Sequence, residues 1–74
     1  MEKLLQIIST VLNIDREKID ESLSRDTTDE WDSFNHLMLM SEIEKEFQIS
    51  LSIQEIEKTR SYKDICTLIS EKKQ

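Results

Sequence analysis

Three residues with acidic or reactive side chains lie close together near the middle of the chain: Asp32, Ser33 and His36. Aspartate and serine are both preferred at a helix start, where their oxygens cap free backbone N–H groups. A helix start also suits a phosphate-linked group on Ser33, because the free N–H groups and the helix dipole attract anions. A third interpretation is a small hydrolase with Ser33 as nucleophile and His36 as base. That interpretation is the weakest, since the sequence offers no oxyanion hole and no substrate pocket.

The composition limits the chemistry that these residues can perform. The chain has 74 residues with 16 acidic and 10 basic side chains, a net charge of −6, one cysteine and neither glycine nor proline. This length predicts one small domain over residues 1–74, which leaves no room for a large catalytic cavity. The acidic balance argues against binding to nucleic acid or to an anionic membrane. The absence of glycine excludes glycine-rich phosphate loops.

The sequence also bears on compartment and on partners. No apolar run is long enough to span a membrane, and the opening MEKLLQII does not resemble a signal peptide. A single cysteine, Cys66, fits a reducing compartment, so we expect a cytoplasmic protein with Cys66 as a small core residue. Residues 15–32 carry eight acids against three bases, whereas residues 59–74 carry two acids against four bases. This uneven distribution of charge favours the docking of basic partners on the acidic middle of the chain.

Apolar side chains recur at helical spacing along the chain, and no stretch alternates convincingly as a strand would. The first predicted helix covers roughly residues 2–12. The second covers residues 33–47, with Asp32 or Ser33 as its cap. The chain between them, residues 13–32, is predicted to be a loop held to the core by three apolar anchors: Ile14, Ile19 and Leu23.

Two further helices are predicted in the second half of the chain. Ser52 and Glu55 form a capping box that opens a short third helix, with Ile53 and Ile56 facing inward. Ser61 opens a fourth helix through about residue 71, whose buried face comprises Tyr62, Ile65, Leu68 and Ile69. The predicted fold is therefore an all-α four-helix bundle with a long first loop and a short third helix.

The long loop is itself unusual. A connection of about twenty residues is uncommon in a compact domain unless the loop is functional. Part of it, residues 15–23, is predicted to form a helical turn capped by Asp15. The loop acids Asp26, Asp29, Glu30 and Asp32 lack the spacing and the glycine of a calcium loop, so we expect no metal site.

The second helix is apolar on two sides of its first half. Its core side comprises Leu39, Met40, Ile43 and Phe47, and His36 lies near this stripe, where we expect it to be half-buried and structural. The other side comprises Phe34, Leu37, Met38 and Ser41. Either the long loop covers Phe34 and Leu37, or these residues bind a partner beside an acidic rim of Glu42, Glu44 and Glu46. The second alternative is compatible with an unmodified helical adaptor.

Taken in order, these features resemble those of the acyl carrier protein family over nearly the whole chain. They are the apolar first helix, the long acidic loop, the Asp-Ser start of the second helix, the acidic run EIEKEFQI at residues 42–49, the short third helix, and SYKDI at residues 61–65. A lone Asp-Ser pair has no value as a motif. The whole set of features, in this order and at these spacings, is a specific sign of resemblance to that family.

The resemblance implies that Ser33 is the attachment point for 4′-phosphopantetheine, which a phosphopantetheinyl transferase moves from coenzyme A. It implies a carrier and not an enzyme: acyl or aminoacyl thioesters pass from a loading ligase to a downstream transferase or synthase. Asp32 matches the aspartate that caps the helix and helps to place the transferase's metal. Phe34, Leu37, Met38 and Ser41 match positions that contact partner enzymes. We expect a monomer.

Three departures from the family pattern refine this expectation. Phe34 follows the serine in place of the usual leucine, Trp31 precedes the aspartate in place of glycine, and Asn35 and Met38 fill positions that are usually acidic. The Gly-Gly-x-Ser signature of peptidyl carriers is absent. A Trp-Asp-Ser start resembles that of discrete carriers from specialised biosynthetic pathways.

Overall fold

The computed structural model describes residues 2–73, which form four α-helices joined by loops. The helices are α1 (Glu2–Leu12), α2 (Ser33–Phe47), α3 (Ile53–Lys58) and α4 (Tyr62–Lys72). Two 3₁₀ turns, Arg16–Lys18 and Arg25–Thr27, lie in the loop between α1 and α2. No β-strand occurs within the described residues, so the predicted all-α bundle with a long first loop and a short third helix is confirmed.

The core lies between α1, α2 and α4, each of which buries one stripe of apolar side chains. A buried side chain of this size contributes roughly 1.5–3 kcal/mol when it leaves water. Packing of these stripes, more than helix propensity, therefore stabilises such short helices. Cys66 packs against the edge of this core, and Tyr62 is only partly buried there. The buried stripes are Leu4, Ile8 and Leu12 of α1, Leu39, Met40 and Ile43 of α2, and Ile65, Leu68 and Ile69 of α4.

Serine side chains cap the last two helices. The predicted capping box of α3 is present: Ser52 Oγ accepts the N–H of Glu55 at 3.1 Å, and Glu55 Oε1 accepts the N–H of Ser52 at 2.8 Å. Ser61 Oγ likewise accepts the N–H of Asp64 at 3.1 Å. Asp64 does not complete a capping box as Glu55 does, because its carboxylate accepts the N–H of Arg60 at 3.0 Å, one residue before the cap. Both helix starts therefore follow from local sequence.

The long loop is anchored to the core as predicted. Ile19 and Leu23 are buried, and Ile14 packs against the core from its edge. The first 3₁₀ turn falls inside the predicted segment, but the Asp15 side chain makes no cap hydrogen bond, so its predicted capping role is wrong. A turn of three residues leaves fewer free N–H groups than an α-helix, and less is gained by capping it.

The second half of the loop is joined to the connection between α3 and α4. Ser24 and Ser61 form an isolated antiparallel bridge, and the backbone N–H of Arg25 donates to the carbonyl of Arg60 at 2.8 Å. The Arg60 guanidinium also binds the Asp26 carboxylate at 2.7 Å. These contacts bring together two segments about 35 residues apart in sequence, and they place Arg25 and Arg60 side by side.

One predicted core position is wrong. Ile53 is 72% exposed, whereas Ile56 packs against the core. The helix α3 has only six residues, and Ile53 is the first of them. Because the helix is so short, only part of it packs on the bundle, and its first residue lies outside the core. None of the helices described for residues 2–73 has the length and hydropathy of a membrane span.

Candidate functional site

Ser33 is the first residue of α2, and its side chain is exposed to solvent. The helix is capped by its neighbour Asp32, whose Oδ1 accepts the N–H of Asn35 at 2.8 Å. The Asn35 side-chain amide donates to the carbonyl oxygen of Glu30 at 2.8 Å, which ties the loop to the helix. Of the two predicted caps, Asp32 therefore performs this role, and the Ser33 hydroxyl remains available for chemistry.

Two arginines that the sequence reasoning did not select lie beside Ser33. Arg25 Nη2 is 3.5 Å from Ser33 Oγ. Arg25, Arg60 and Ser33 line an open groove of about 370 Å³, together with His36 and Leu37 of α2 and Ile56 and Glu57 of α3. The groove thus carries two guanidinium groups and one carboxylate, and one of the guanidinium groups is paired with Asp26. Spacing in sequence could not reveal it, because the loop contacts described above bring the two arginines together.

Buried hydrogen bonds connect the site loop, α2 and α3 through His36. Trp31 is 2% exposed, and its Nε1–H donates to His36 Nδ1 at 3.0 Å. Because Nδ1 accepts this bond, the proton of the neutral ring is on Nε2, which donates to the carbonyl oxygen of Ile56 at 2.8 Å. Both ring nitrogens are thus engaged, and neither can accept a proton from Ser33. His36 has the predicted structural role, but it is buried and not half-buried.

The surroundings of His36 favour its neutral form. Burial lowers its pKa from the ordinary value of 6.5, because the imidazolium loses hydration. The hydrogen bond to the Ile56 carbonyl acts in the opposite direction, and the positive charges of Arg25 and Arg60 lower the pKa further. The neutral tautomer that receives the Trp31 bond is therefore the stable one.

This shift predicts that the fold loses stability in mild acid. Below pH 6.5 the unfolded chain binds a proton at His36 that the folded chain does not bind, so the free energy of unfolding falls toward the folded-state pKa. Urea unfolding at about pH 7.5, 6.5 and 5.5 measures the effect. In the His36→Gln variant we expect a flatter profile over this range. Equal slopes for the two proteins would contradict the assignment.

The side of α2 that points away from the core is exposed beside Ser33. Phe34 is 70% exposed, Leu37 60% and Met38 45%, and we call these three residues the apolar face. The alternative that the long loop covers Phe34 and Leu37 is therefore wrong. Ser41 is also exposed, one turn further along the helix. A contiguous apolar surface on so small a protein is typical of an interaction site.

The acidic rim predicted beside this face is only partly present. Glu42 is exposed and has no ion pair among those found in the described part of the chain. Glu44 is partly buried, and its Oε2 accepts the backbone N–H of Leu51 at 2.9 Å. Glu46 binds Lys3 of α1 at 2.8 Å. Glu44 and Glu46 thus hold neighbouring segments together, and Glu42 is the rim residue left for a partner.

The loop acids do not form a cluster with ligand geometry. Across residues 2–73, no group of three or more histidine, cysteine, aspartate or glutamate side chains is arranged to hold a metal ion. Asp26 binds Arg60, and Asp32 caps α2. The roles observed for these two acids are structural.

Comparison with known proteins identifies the family. The chain matches the family described as phosphopantetheine attachment site over residues 2–69, which include α1, α2 and α3 and most of α4. No curated protein matches the chain. Domains of this family are non-catalytic and receive 4′-phosphopantetheine as a covalent group. The chain therefore belongs to the phosphopantetheine-binding family of acyl carrier proteins, and it is a carrier and not an enzyme.

Proposed function

We propose that Ser33 is the residue that receives 4′-phosphopantetheine, as a phosphodiester on its Oγ. The observation that supports this most directly is the exposed hydroxyl at the first position of α2, with the capping role filled by Asp32. Free N–H groups and the positive end of the helix dipole favour a phosphate at this place. The residues at the start of α2 thus fit the group.

Three of the other serines, Ser9, Ser52 and Ser61, are less suitable as acceptors. Ser52 and Ser61 also stand at helix starts, but each Oγ accepts a backbone N–H that the helix needs. Ser9 Oγ donates to a backbone carbonyl at 2.7 Å. Modification at these positions would disrupt a hydrogen bond of the local fold. At Ser33 it would affect only the 3.5 Å contact with Arg25.

The wider function that we propose is the transport of acyl or aminoacyl groups in a specialised biosynthetic pathway. The attached group supplies a thiol on a flexible arm, on which such cargo is held as a thioester. A loading ligase would charge the carrier, and a downstream transferase or synthase would receive the cargo. Tethering raises the effective concentration of the cargo at each enzyme. We further propose that residues 1–74 act as one monomeric domain in the cytoplasm.

The apolar face supports the proposal that partner enzymes dock beside Ser33. Binding energy at protein interfaces is concentrated in a few central side chains, with aromatic residues prominent among them. Phe34 is the exposed aromatic side chain next to Ser33, and Leu37 and Met38 extend the same surface. Ser41 and Glu42 follow along the helix, and both are exposed. Glu44 would act mainly through its bond to Leu51, which fixes the chain after α2.

A charged side chain on this face should weaken docking without unfolding the protein. For Phe34→Glu or Met38→Glu we expect kcat/KM for phosphopantetheine transfer to fall roughly 10- to 30-fold, the loss expected for one interface residue worth about 2 kcal/mol. Stability should change by about 0.5 kcal/mol or less, because both side chains are exposed. Transfer assays and circular dichroism measure the two effects.

The matched control is Gln6→Glu, which adds the same charge to an exposed position of α1. We expect its transfer rate to stay close to that of the wild type. A large loss of helicity in the Phe34 or Met38 variants would show that these residues belong to the core. An equal loss of rate in the Gln6 variant would show that the net charge, and not the apolar face, governs docking.

An unmodified adaptor is the alternative function, and the apolar face would serve it equally well. Incubation with coenzyme A and a broad-specificity phosphopantetheinyl transferase, followed by intact-mass measurement, separates the two functions. A carrier gains one phosphopantetheinyl group at Ser33. An adaptor keeps its mass with several transferases.

A further inference from the structure

The main chain at Arg25 is fixed independently of its side chain. Its backbone N–H donates to the carbonyl of Arg60 at 2.8 Å, next to the bridge between Ser24 and Ser61. From this anchored position the guanidinium extends to Ser33, where Nη2 is 3.5 Å from Oγ. A substitution at Arg25 can therefore remove the guanidinium and leave the loop contacts in place.

The guanidinium of Arg25 has unused hydrogen-bonding capacity. Its Nε is buried and has no hydrogen-bond partner within the described residues. The other two arginines of the chain both bind carboxylates: Arg16 binds Glu2 at 2.6 Å, and Arg60 binds Asp26 at 2.7 Å. Arg25 forms no such pair among residues 2–73. Buried donors without partners are rare and costly, which points to a partner that arrives after folding.

Charge favours an anion as that partner. Arg25, Arg60 and Glu57 line the same groove in a chain whose net charge is −6, and because Arg60 is paired with Asp26, Arg25 is the cation of this groove left without an ion pair among residues 2–73. A phosphate added to such a protein is repelled by the overall charge unless a local cation receives it. Guanidinium groups bind phosphate oxygens through N–H bonds, and Arg25 Nη2 lies 3.5 Å from the Oγ atom to which the phosphate would be joined.

We propose that Arg25 is a positioning residue that binds the phosphate of the phosphopantetheine group on Ser33 and so fixes the base of the arm against the protein. This inference rests on the proposed attachment at Ser33. The phosphate provides an acceptor for the guanidinium, whose Nη2 already lies beside Ser33 Oγ and which has no carboxylate partner among residues 2–73. The arm beyond the phosphate stays free to move, while its point of departure is held.

The test compares the melting temperatures of the apo and holo forms of each variant. For the wild type we expect the holo form to melt about 4–8 °C above the apo form. In the Arg25→Gln variant the added negative charge has no partner, so the holo form should melt at or below its apo form. The control Arg16→Gln removes the same charge from a residue that is paired with Glu2 and does not line the groove at Ser33, and it should keep the wild-type difference.

A second readout reports directly on the guanidinium. The Arg25 Nε–H signal in a ¹H–¹⁵N spectrum should shift on conversion of the wild type to the holo form, while the Arg16 signal should not. If the transferase does not modify the Arg25→Gln variant, the Arg25→Lys variant is used in its place. A difference in melting temperature between the holo and apo forms that is smaller for Arg25→Lys than for the wild type would support the same role.

The outcomes separate this inference from the proposed attachment. Intact mass is measured first, and a wild-type chain that gains no mass, or gains it at another residue, contradicts attachment at Ser33 and this inference with it. Modification at Ser33 with equal holo-minus-apo differences in the wild type and the Arg25 variant overturns the role of Arg25 alone. An unshifted Nε–H signal would also overturn it, and a partner's carboxylate would then be the better ligand for Arg25.

Discussion

The Ser33→Ala variant should gain no mass when it is incubated with coenzyme A and a phosphopantetheinyl transferase. The substitution removes the Oγ atom that would form the ester. Asp32 caps α2 through its own carboxylate, so loss of the Ser33 hydroxyl leaves the helix start in place. Alanine also has the highest intrinsic helix propensity. We therefore expect complete loss of modification with an unchanged circular dichroism spectrum, measured on the same sample.

The control for this experiment is Ser70→Ala, at an exposed serine of α4 that the proposed docking surface does not include. It should gain the same mass as the wild type when the reaction reaches completion. A Ser33→Ala variant that still gains mass would place the attachment on another residue, which peptide mapping would then identify. If neither the wild type nor the control gains mass with several transferases, the adaptor function becomes the better explanation.

The helices follow from signals that are local in the sequence. Asp32 before an apolar stripe, and Ser52 three residues before Glu55, mark helix starts because the side chains that satisfy the free N–H groups are close in sequence. For the apolar face the sequence left two alternatives, cover by the long loop or exposure. One side of α2 is filled by four core residues, so Phe34 and Leu37 could be buried only by the long loop.

Three of the errors and omissions concern contacts that a residue makes outside its own helix or turn. Ile53 has the spacing of a core residue, but its burial depends on how far α3 extends over the bundle. Glu44 has the spacing of a rim residue, but its carboxylate accepts the backbone N–H of Leu51, seven residues further along the chain. Arg25 lies in an acidic loop, and only the contact with Arg60 reveals that its side chain lies beside Ser33. In each of these cases the outcome depends on a contact outside the residue's own helix or turn.

Trp31 is the residue whose substitution should destabilise the fold most. It is among the largest fully buried side chains, and it lies directly before Asp32 and Ser33. Truncation of a buried tryptophan to alanine costs about 3–5 kcal/mol. A domain of this length rarely has more than about 3–5 kcal/mol of total stability. We therefore expect Trp31→Ala to be largely unfolded without denaturant, as measured by circular dichroism and urea titration.

Two matched variants separate burial from hydrogen bonding. Trp31→Phe keeps an aromatic ring but removes the donor to His36 Nδ1, so we expect a smaller loss of about 1–3 kcal/mol for the buried acceptor left unpaired. Phe34→Ala removes an aromatic ring three residues away that is 70% exposed, and stability should change by about 0.5 kcal/mol or less. If Trp31→Ala and Phe34→Ala unfold at the same urea concentration, Trp31 is not part of the core. If the Phe variant is as unstable as the Ala variant, the bond to His36, and not the ring's burial, holds the site loop in place.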